Sequence, residues 1–225
     1  MNIGNSLILA AAAALASLLS SCTTKPESSS LAAYHAYDVP TKLPANPKAV
    51  RVKISVSKQR VYVMEGSTML LAMPVSVGAP GSPTPTGNFT IFKKEHKHRA
   101  NTHGYAYKGD DIRQTFLSKN RPGWLFKGTP MPYWCEFKPN YGFHSGWVKH
   151  QPCTHDGCIR MHENLSPKFY RLVSTGTPVN IAYSQPEDRT VRVPMPPDAG
   201  PLPDYRLRMY ISDRYFTQHK TPVYD

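Results

Sequence analysis

Residues 1–21 carry no charged side chain, acids are scarce beside bases, cysteines number only four in 225 residues, and no internal repeat or long Lys/Arg block is present. Each shortage excludes something. A length of 225 residues accommodates one domain of ordinary size plus appendages and leaves little room for a second core. The uncharged start contains an apolar and small-residue run over residues 7–21. A membrane-spanning helix needs roughly 18 or more apolar residues, so this run reads as the h-region of a secretory signal, outside the fold. The 27 lysines and arginines against 15 aspartates and glutamates give a formal +12, which suits anionic surroundings. Without a basic block or a nucleic-acid motif, and with an export signal, nucleic acid is not expected as a partner. An anionic wall polymer, a membrane surface or simply a soluble basic surface remain.

The apolar run closes in Leu19-Ser20-Ser21-Cys22. A small-residue pair before a cysteine at that place resembles the lipobox of bacterial lipoproteins, which implies lipidation of Cys22 and a membrane anchor through it. An ordinary signal peptide with an incidental Cys22 is the alternative. Residues 1–21 are thus read as signal peptide and residues 22–48 as lipid anchor and solvated tether. Residues 49–184 are read as the catalytic domain, and residues 185–225 as a Pro-rich linker with a C-terminal extension. The expected location is the periplasm, on the membrane.

From Val50 the pattern has period two. Val52, Ile54 and Val56 alternate with polar residues, as do Val61 and Val63, and a third run covers residues 69–77. A β-meander with one buried face is expected, followed by a Gly/Pro-rich loop and a strand at residues 89–92. Residues 93–132, rich in His, Lys, Gly and aromatics, read as a lid-like insertion, because so long an irregular connection is usually functional or disordered. Further strands are expected at residues 131–137 and 141–147, around turn chemistry at Lys138-Pro139-Asn140. Ser166-Pro167 reads as a helix start with Ser166 as N-cap, ahead of a closing strand at residues 178–182. Alternating Tyr205, Leu207, Met209 and Ile211 suggest a last strand or a tail.

A cysteine nucleophile requires a base, donors for the oxyanion and partial access to solvent. Phe143-His144-Ser145-Gly146 and Thr154-His155-Asp156-Gly157-Cys158-Ile159-Arg160-Met161 supply candidates for all three. The imidazole of His144 can take the thiol proton and return it to a leaving amine. Gly157 admits close backbone approach, and the Gly157 and Cys158 amides are the natural oxyanion donors. An exposed Cys158 thiol of low pKa, alkylated faster than Cys135 or Cys153, is expected.

These segments resemble the L,D-transpeptidase (YkuD-like) catalytic domain, whose pattern is His-x-Gly, a short loop, then Ser/Thr-x-Gly-Cys-Ile/Val-Arg. Pro83-Thr84-Pro85-Thr86-Gly87, Met131-Pro132-Tyr133-Trp134 and Gly176-Thr177-Pro178-Val179 extend the likeness over residues 50–183. The resemblance implies a mainly β fold, a mixed β-sandwich or barrel with one or two short helices. It implies attack by Cys158 on a peptidoglycan stem peptide through a thioester, with His144 as base and the Ser145 carbonyl orienting its ring. Arg160 would support the site or meet a substrate carboxylate, and no cofactor or metal is implied. One departure is that Asp156 either replaces the family's residue before Gly-Cys or is inserted after Thr154-His155, which leaves the role of His155 open. An L,D-carboxypeptidase of the same fold and an inactive wall-binding lipoprotein are the alternatives.

Three further expectations concern side chains around the motif. Cys135 and Cys153 could pair as a disulfide in an oxidising compartment, or stay buried thiols. Cys153, His155, Cys158 and His162 could instead be zinc ligands, although their spacing fits no common finger. His35, His96, His98, His103 and His150 read as solvated, with His103 able to touch substrate from the lid. Trp124, Tyr133 and Trp134 read as packing or as a sugar-stacking platform.

Overall fold

The computed structural model describes residues 28–199 and 207–217. The signal peptide, Cys22 and Tyr205 lie outside them. Among the described residues no helix is long and apolar enough to cross a membrane.

The expected meander is present as β1 (Val50–Ser55), β2 (Arg60–Glu65) and β3 (Thr68–Ser76), antiparallel neighbours in register Val52↔Val63 and Val63↔Leu71. Seven more strands complete a mainly β fold: β4 (Gly87–Thr90), β5 (Lys93–Lys108), β6 (Asp111–Phe116), β7 (Leu125–Lys138), β8 (Tyr141–Ser145), β9 (Ile159–Met161) and β10 (Pro178–Ala182). They form one mixed sheet ordered β4-β10-β1-β2-β3-β9-β8-β7-β5-β6. The β1/β10 and β8/β9 pairs are parallel and the rest antiparallel.

The sheet curls on itself. Phe89 of β4, at one edge, packs on Phe137 of β7 (centroids 5.3 Å apart), and the Phe92 amide donates to Glu136 O (2.9 Å). Val52, Ile54, Val61 and Ile181 from one half thereby share a core with Phe143, Ile159 and Met161 from the other. Each such side chain, fully buried, contributes roughly 1.5–3 kcal/mol. Helix α2 (Ser166–Leu172) plugs this core with Phe169 on Phe143, 4.6 Å between rings. The expected cap differs: Leu165 is the N-cap and Ser166 is already helical, its hydroxyl donating to Glu163 O.

Four expectations need correction. Residues 93–132 are not an irregular lid: β5, β6 and the start of β7 build a long hairpin-like sheet extension. Its few buried residues, such as Tyr105 and Ala106, are adjacent and set among Lys, Arg, His and Asn, so no sustained period-two apolar signal marks it. Close passage of β5 over β7 relies on Gly128, where a Cβ would lie 1.9 Å from Ala100 O. Residues 28–48 do not behave as a solvated tether. Helix α1 (Ser28–His35) delivers Tyr34, 1% exposed, between Trp147 and His162, with its hydroxyl accepting the Val148 N–H (2.8 Å). His35 pairs with Glu163, and Asp38 with Lys168. Sparse aromatic anchors of that kind produce no periodicity.

The Pro-rich stretch after residue 185 is likewise packed. Glu187 pairs with Lys53, Asp188 accepts from Ser55 and Tyr62, and Pro194 O and Pro196 O accept from Tyr37 and His150. Finally, Leu207, Met209 and Ile211 belong to helix α3 (Leu207–Ile211), not a strand. Tyr210 stacks on Tyr105 (5.2 Å), and Arg99 donates to Tyr210 O and Ser212 O.

Replacing Tyr34 by Ala should cost about 3–5 kcal/mol by cavity formation. Tyr34→Phe should cost about 1–2 kcal/mol, because the buried Val148 N–H loses its acceptor. Urea denaturation checks both, and a loss under 0.5 kcal/mol for Tyr34→Ala would mean the N-terminal segment is not docked.

Candidate active site

Strands β8 and β9 run parallel with Phe143↔Ile159, His144↔Arg160 and Ser145↔Met161 as partners. Phe143 and Ile159 point into the core and are fully buried. Alternation therefore sends His144 and Arg160 to the opposite face. Cys158, two residues before Arg160, belongs to that same face as His144. Parallel neighbours need a crossover, and here residues 146–158 supply it, ending on Cys158.

The crossover is pinned to the end of β3. Cys153 and Thr154 amides donate to Val77 O (3.0 and 3.1 Å), and the Ala79 amide donates to Thr154 O (3.0 Å). Two hydroxyls then fix the nucleophile turn. Thr84 Oγ1 accepts from Gly78 N and donates to Gly157 O, both at 2.9 Å, while Thr154 Oγ1 donates to Cys158 O (2.7 Å). With the Gly157 carbonyl held by Thr84, the planar trans peptide points the Cys158 N–H in the opposite direction. Gly157 has φ 70°, and a Cβ there would lie 2.7 Å from Pro83 O and 2.8 Å from a Tyr141 ring carbon. Only glycine fits both constraints.

His144 is buried, and its Nδ1 lies 2.9 Å from Ser145 O. A carbonyl only accepts, so Nδ1 carries the proton and Nε2 keeps its lone pair. Burial, reinforced by the positive charge of Arg160, lowers the imidazole to about 3. Cys158 is 8% exposed. Its Sγ donates to Asn140 O (3.7 Å) rather than to the His144 ring. Burial pushes its thiol up to about 11, against the Gly142 amide, which favours the thiolate. An exposed, low-pKa Cys158 is thus corrected: the resting pair is neutral thiol and neutral imidazole, because desolvation penalises both charged forms. Cys153, half-buried, is the more accessible thiol.

The remaining candidates separate. Arg160, half-buried, donates to Trp147 O (3.3 Å) and lies 3.8 Å from Cys153 Sγ, and Gly146 leaves room for its stem. It braces the crossover and has no carboxylate partner among the described residues. His155 is exposed, and Asp156, 61% exposed by side chain, faces His103 of β5 at 3.6 Å. Cys135 and Cys153 are free thiols, correcting the disulfide. Cys135 is sealed in the core between Lys94 and Phe143 on neighbouring strands, whereas Cys153 lies in the crossover against Arg160. His162 is buried against Tyr34, not beside Cys158: its Nε2 donates to Tyr34 O and its Nδ1 accepts from Asn164 N. Among the described residues no group of three or more His, Cys, Asp or Glu is placed to hold a metal.

Several contributors escaped the sequence reading. Trp134, Met131 and Ala100 form an apolar cluster with Cys158. His98, read as solvated, is buried and stacks on Trp134 (4.5 Å, 15°) while pairing with Glu95. Glu136 accepts from the Trp134 indole and from Asn140 N, locking the turn that carries the thiol's partner. Thr84 and Asn140 lay inside segments already noted, but no local signal distinguishes a hydroxyl that ties two loops from one that faces water.

The sequence pattern of the YkuD family, the L,D-transpeptidase catalytic domain, matches residues 49–181. Comparison with curated proteins gives no match. Among solved structures, an L,D-transpeptidase from Mycobacterium smegmatis is 21% identical with a TM-score of 0.46, over 60% of this chain and 58% of that one. One from Stackebrandtia nassauensis is 20% identical with a TM-score of 0.45, over 72% and 69%. The Enterococcus faecium catalytic domain is 19% identical with a TM-score of 0.44, over 60% and 98%. The chain thus spans a little over half of the mycobacterial enzyme. Because the family pattern covers more than half of this chain, and its His and Cys motifs fall on the parallel pair described above, the chain belongs to the YkuD family of L,D-transpeptidase catalytic domains.

Proposed function

We propose that this protein is a peptidoglycan L,D-transpeptidase that works through a thioester on Cys158. The observation that carries the reading is a neutral His144 on the same face of the β8/β9 pair as Cys158, with Nδ1–H held by Ser145 O and Nε2 left as the acceptor nitrogen. As Sγ attacks the stem-peptide carbonyl, its proton passes to His144 Nε2 and an S–C bond forms. The oxyanion draws on the Cys158 and Gly157 amides. Collapse breaks the C–N bond, and His144 returns the proton to the leaving amine. An acceptor amine then attacks the thioester, gives its proton to His144, and the S–C bond breaks to restore the thiol. Water in place of the amine makes the same site a carboxypeptidase.

A thiol raised to about 11 stays protonated at neutral pH, so attack and proton transfer must be coupled. The apolar cover of Trp134, Met131 and Ala100 favours that coupling by keeping water from the sulfur. We also infer export, with Cys22 as a lipid anchor that holds the enzyme at the membrane facing the wall.

Incubation with wall tetrapeptides should give a thioester adduct at Cys158 by intact-mass spectrometry, and the products identify the acceptor. Cys158→Ala should form no adduct, and His144→Gln should slow acylation about 10²–10⁴-fold. Equal turnover by wild type and Cys158→Ala would end the cysteine reading. Changing Cys22 to Ala should move the protein from the membrane fraction to the soluble one; unchanged partition would remove the anchor.

The His144 shift also predicts a pH dependence of stability. Folded His144 remains neutral down to about 3, whereas the unfolded histidine binds a proton below about 6.5. The unfolded state therefore holds more protons between these values, and stability falls as pH drops through that window. From pH 6.5 to 5 this one group should remove roughly 1.5 kcal/mol. Urea midpoints for wild type and His144→Gln check it: the wild type should lose more, and parallel slopes would show that His144 is not desolvated.

A further inference from the structure

We propose that the cleft beneath the Pro-rich strap is a binding site for a phosphate ester, separate from the Cys158 site and independent of its chemistry. Residues 186–196 pass over the start of β2 and leave an open cavity of about 510 Å³. Four of its lining residues are cations: Lys58, Arg60, Arg189 and Arg192. Among the described residues none of them makes an ion pair.

The single carboxylate in the lining, Asp188, acts on Arg60 and Lys58 through space but forms no direct ion pair with either. Asp188 is partly desolvated, yet donors from Gln185 N, Ser55 and Tyr62 hold it below the usual carboxylate value. Those donors occupy both of its oxygens at 2.8–2.9 Å. The neighbouring Glu187 is taken by Lys53. Arg60 is half-buried and donates, through Nη1 alone, to three neutral acceptors: Lys58 O, Gln59 O and Met195 Sδ. Removing a guanidinium from water without an anion in direct contact is costly, and burial lowers Arg60 from its ordinary value. Such a concave field concentrates anions.

The chemistry of the walls narrows the class. Several guanidinium and ammonium donors around one space suit a phosphate, whose oxygens accept from forked guanidinium donors, better than a single carboxylate. Tyr62, Val191, Val193 and Pro194 supply apolar wall beside the cations, and the volume exceeds what a bare phosphate fills. A phosphate carrying an organic group, with that group laid on Val191 and Pro194, fits both halves. Such a group occurs in a soluble or polymeric phosphate ester and in a phospholipid headgroup.

Calorimetric titration of the full protein with glycerol 1-phosphate, against sodium chloride at equal ionic strength, tests the site. Flotation with phosphatidylglycerol or phosphatidylcholine vesicles separates the two sources. Saturable binding of glycerol 1-phosphate, weakened about tenfold or more by Arg189→Gln with Arg192→Gln, is expected. The exposed pair Lys97→Gln with Lys108→Gln removes equal charge elsewhere and should leave affinity unchanged. Cys158→Ala should bind as wild type does, so that loss of turnover and loss of this site are distinguishable. Flotation that requires phosphatidylglycerol and is lost in the Arg189/Arg192 variant assigns a headgroup; binding in solution without flotation assigns a non-lipid ester. The proposal is overturned if neither arm shows saturable binding, or if both double variants weaken it equally while their thermal midpoints match wild type.

Discussion

Two adjacent strands that run the same way cannot be joined by a tight turn, so the chain between β8 and β9 must leave the sheet and come back. Cys158 sits where it comes back. His144 in β8 and Cys158 just before β9 are brought to one face by a ladder that also buries Phe143 and Ile159 in the core. Displacing one member of the pair therefore means breaking core packing. The excursion itself, residues 146–158, would be free to wander if it had only its two ends. Val77 and Thr84 prevent that, tying the crossover to the end of β3 and the Gly/Pro-rich loop beyond it. A Thr84 hydroxyl that joins Gly78 N to Gly157 O makes the opening meander part of the catalytic geometry.

How much of this was legible follows from where each element finds its partners. β1, β2, β3 and β10 each bury one face or lie wholly inside, so their apolar residues recur at period two or in short runs. His144, Gly157 and Cys158 were legible because their chemistry demands particular side chains at particular spacing. β5 and β6 were hidden because their far ends project from the core and leave Lys, Arg and Asn on both faces. The strap and the N-terminal segment were hidden for a different reason. They are held by single contacts far apart in sequence, such as Tyr34 to Val148 and Tyr37 to Pro194, which no window of local sequence contains. The Thr154 hydroxyl caps the Cys158 carbonyl, while His155 is exposed and Asp156 lies 3.6 Å from His103.

Desolvation decides the state of the site more than any ion pair does. A thiolate beside an imidazolium would be the activated form, yet burial acts on both members and favours the uncharged pair. The nearby carboxylates push in the same direction, since Asp156 and Glu136 both disfavour a thiolate. In the proposed mechanism the sulfur becomes nucleophilic only as its proton leaves. A protonated, covered thiol also resists oxidation and stray alkylation.

The same physics has the opposite consequence for Arg60. A histidine or cysteine removed from water can shed or keep a proton and become neutral, as His144 and Cys158 do. A guanidinium cannot, because even a desolvated arginine keeps its proton at neutral pH. Burial lowers Arg60 from its ordinary value, but the charge persists and must be answered by something nearby. Tyr37 and Tyr62 offer dipoles, and Asp188 offers a carboxylate already saturated by Ser55, Tyr62 and Gln185. A buried group that can neutralise itself marks a site built for proton transfer. One that cannot, hydrogen-bonded only to neutral acceptors, keeps a charge for which the proposed anion site offers a partner.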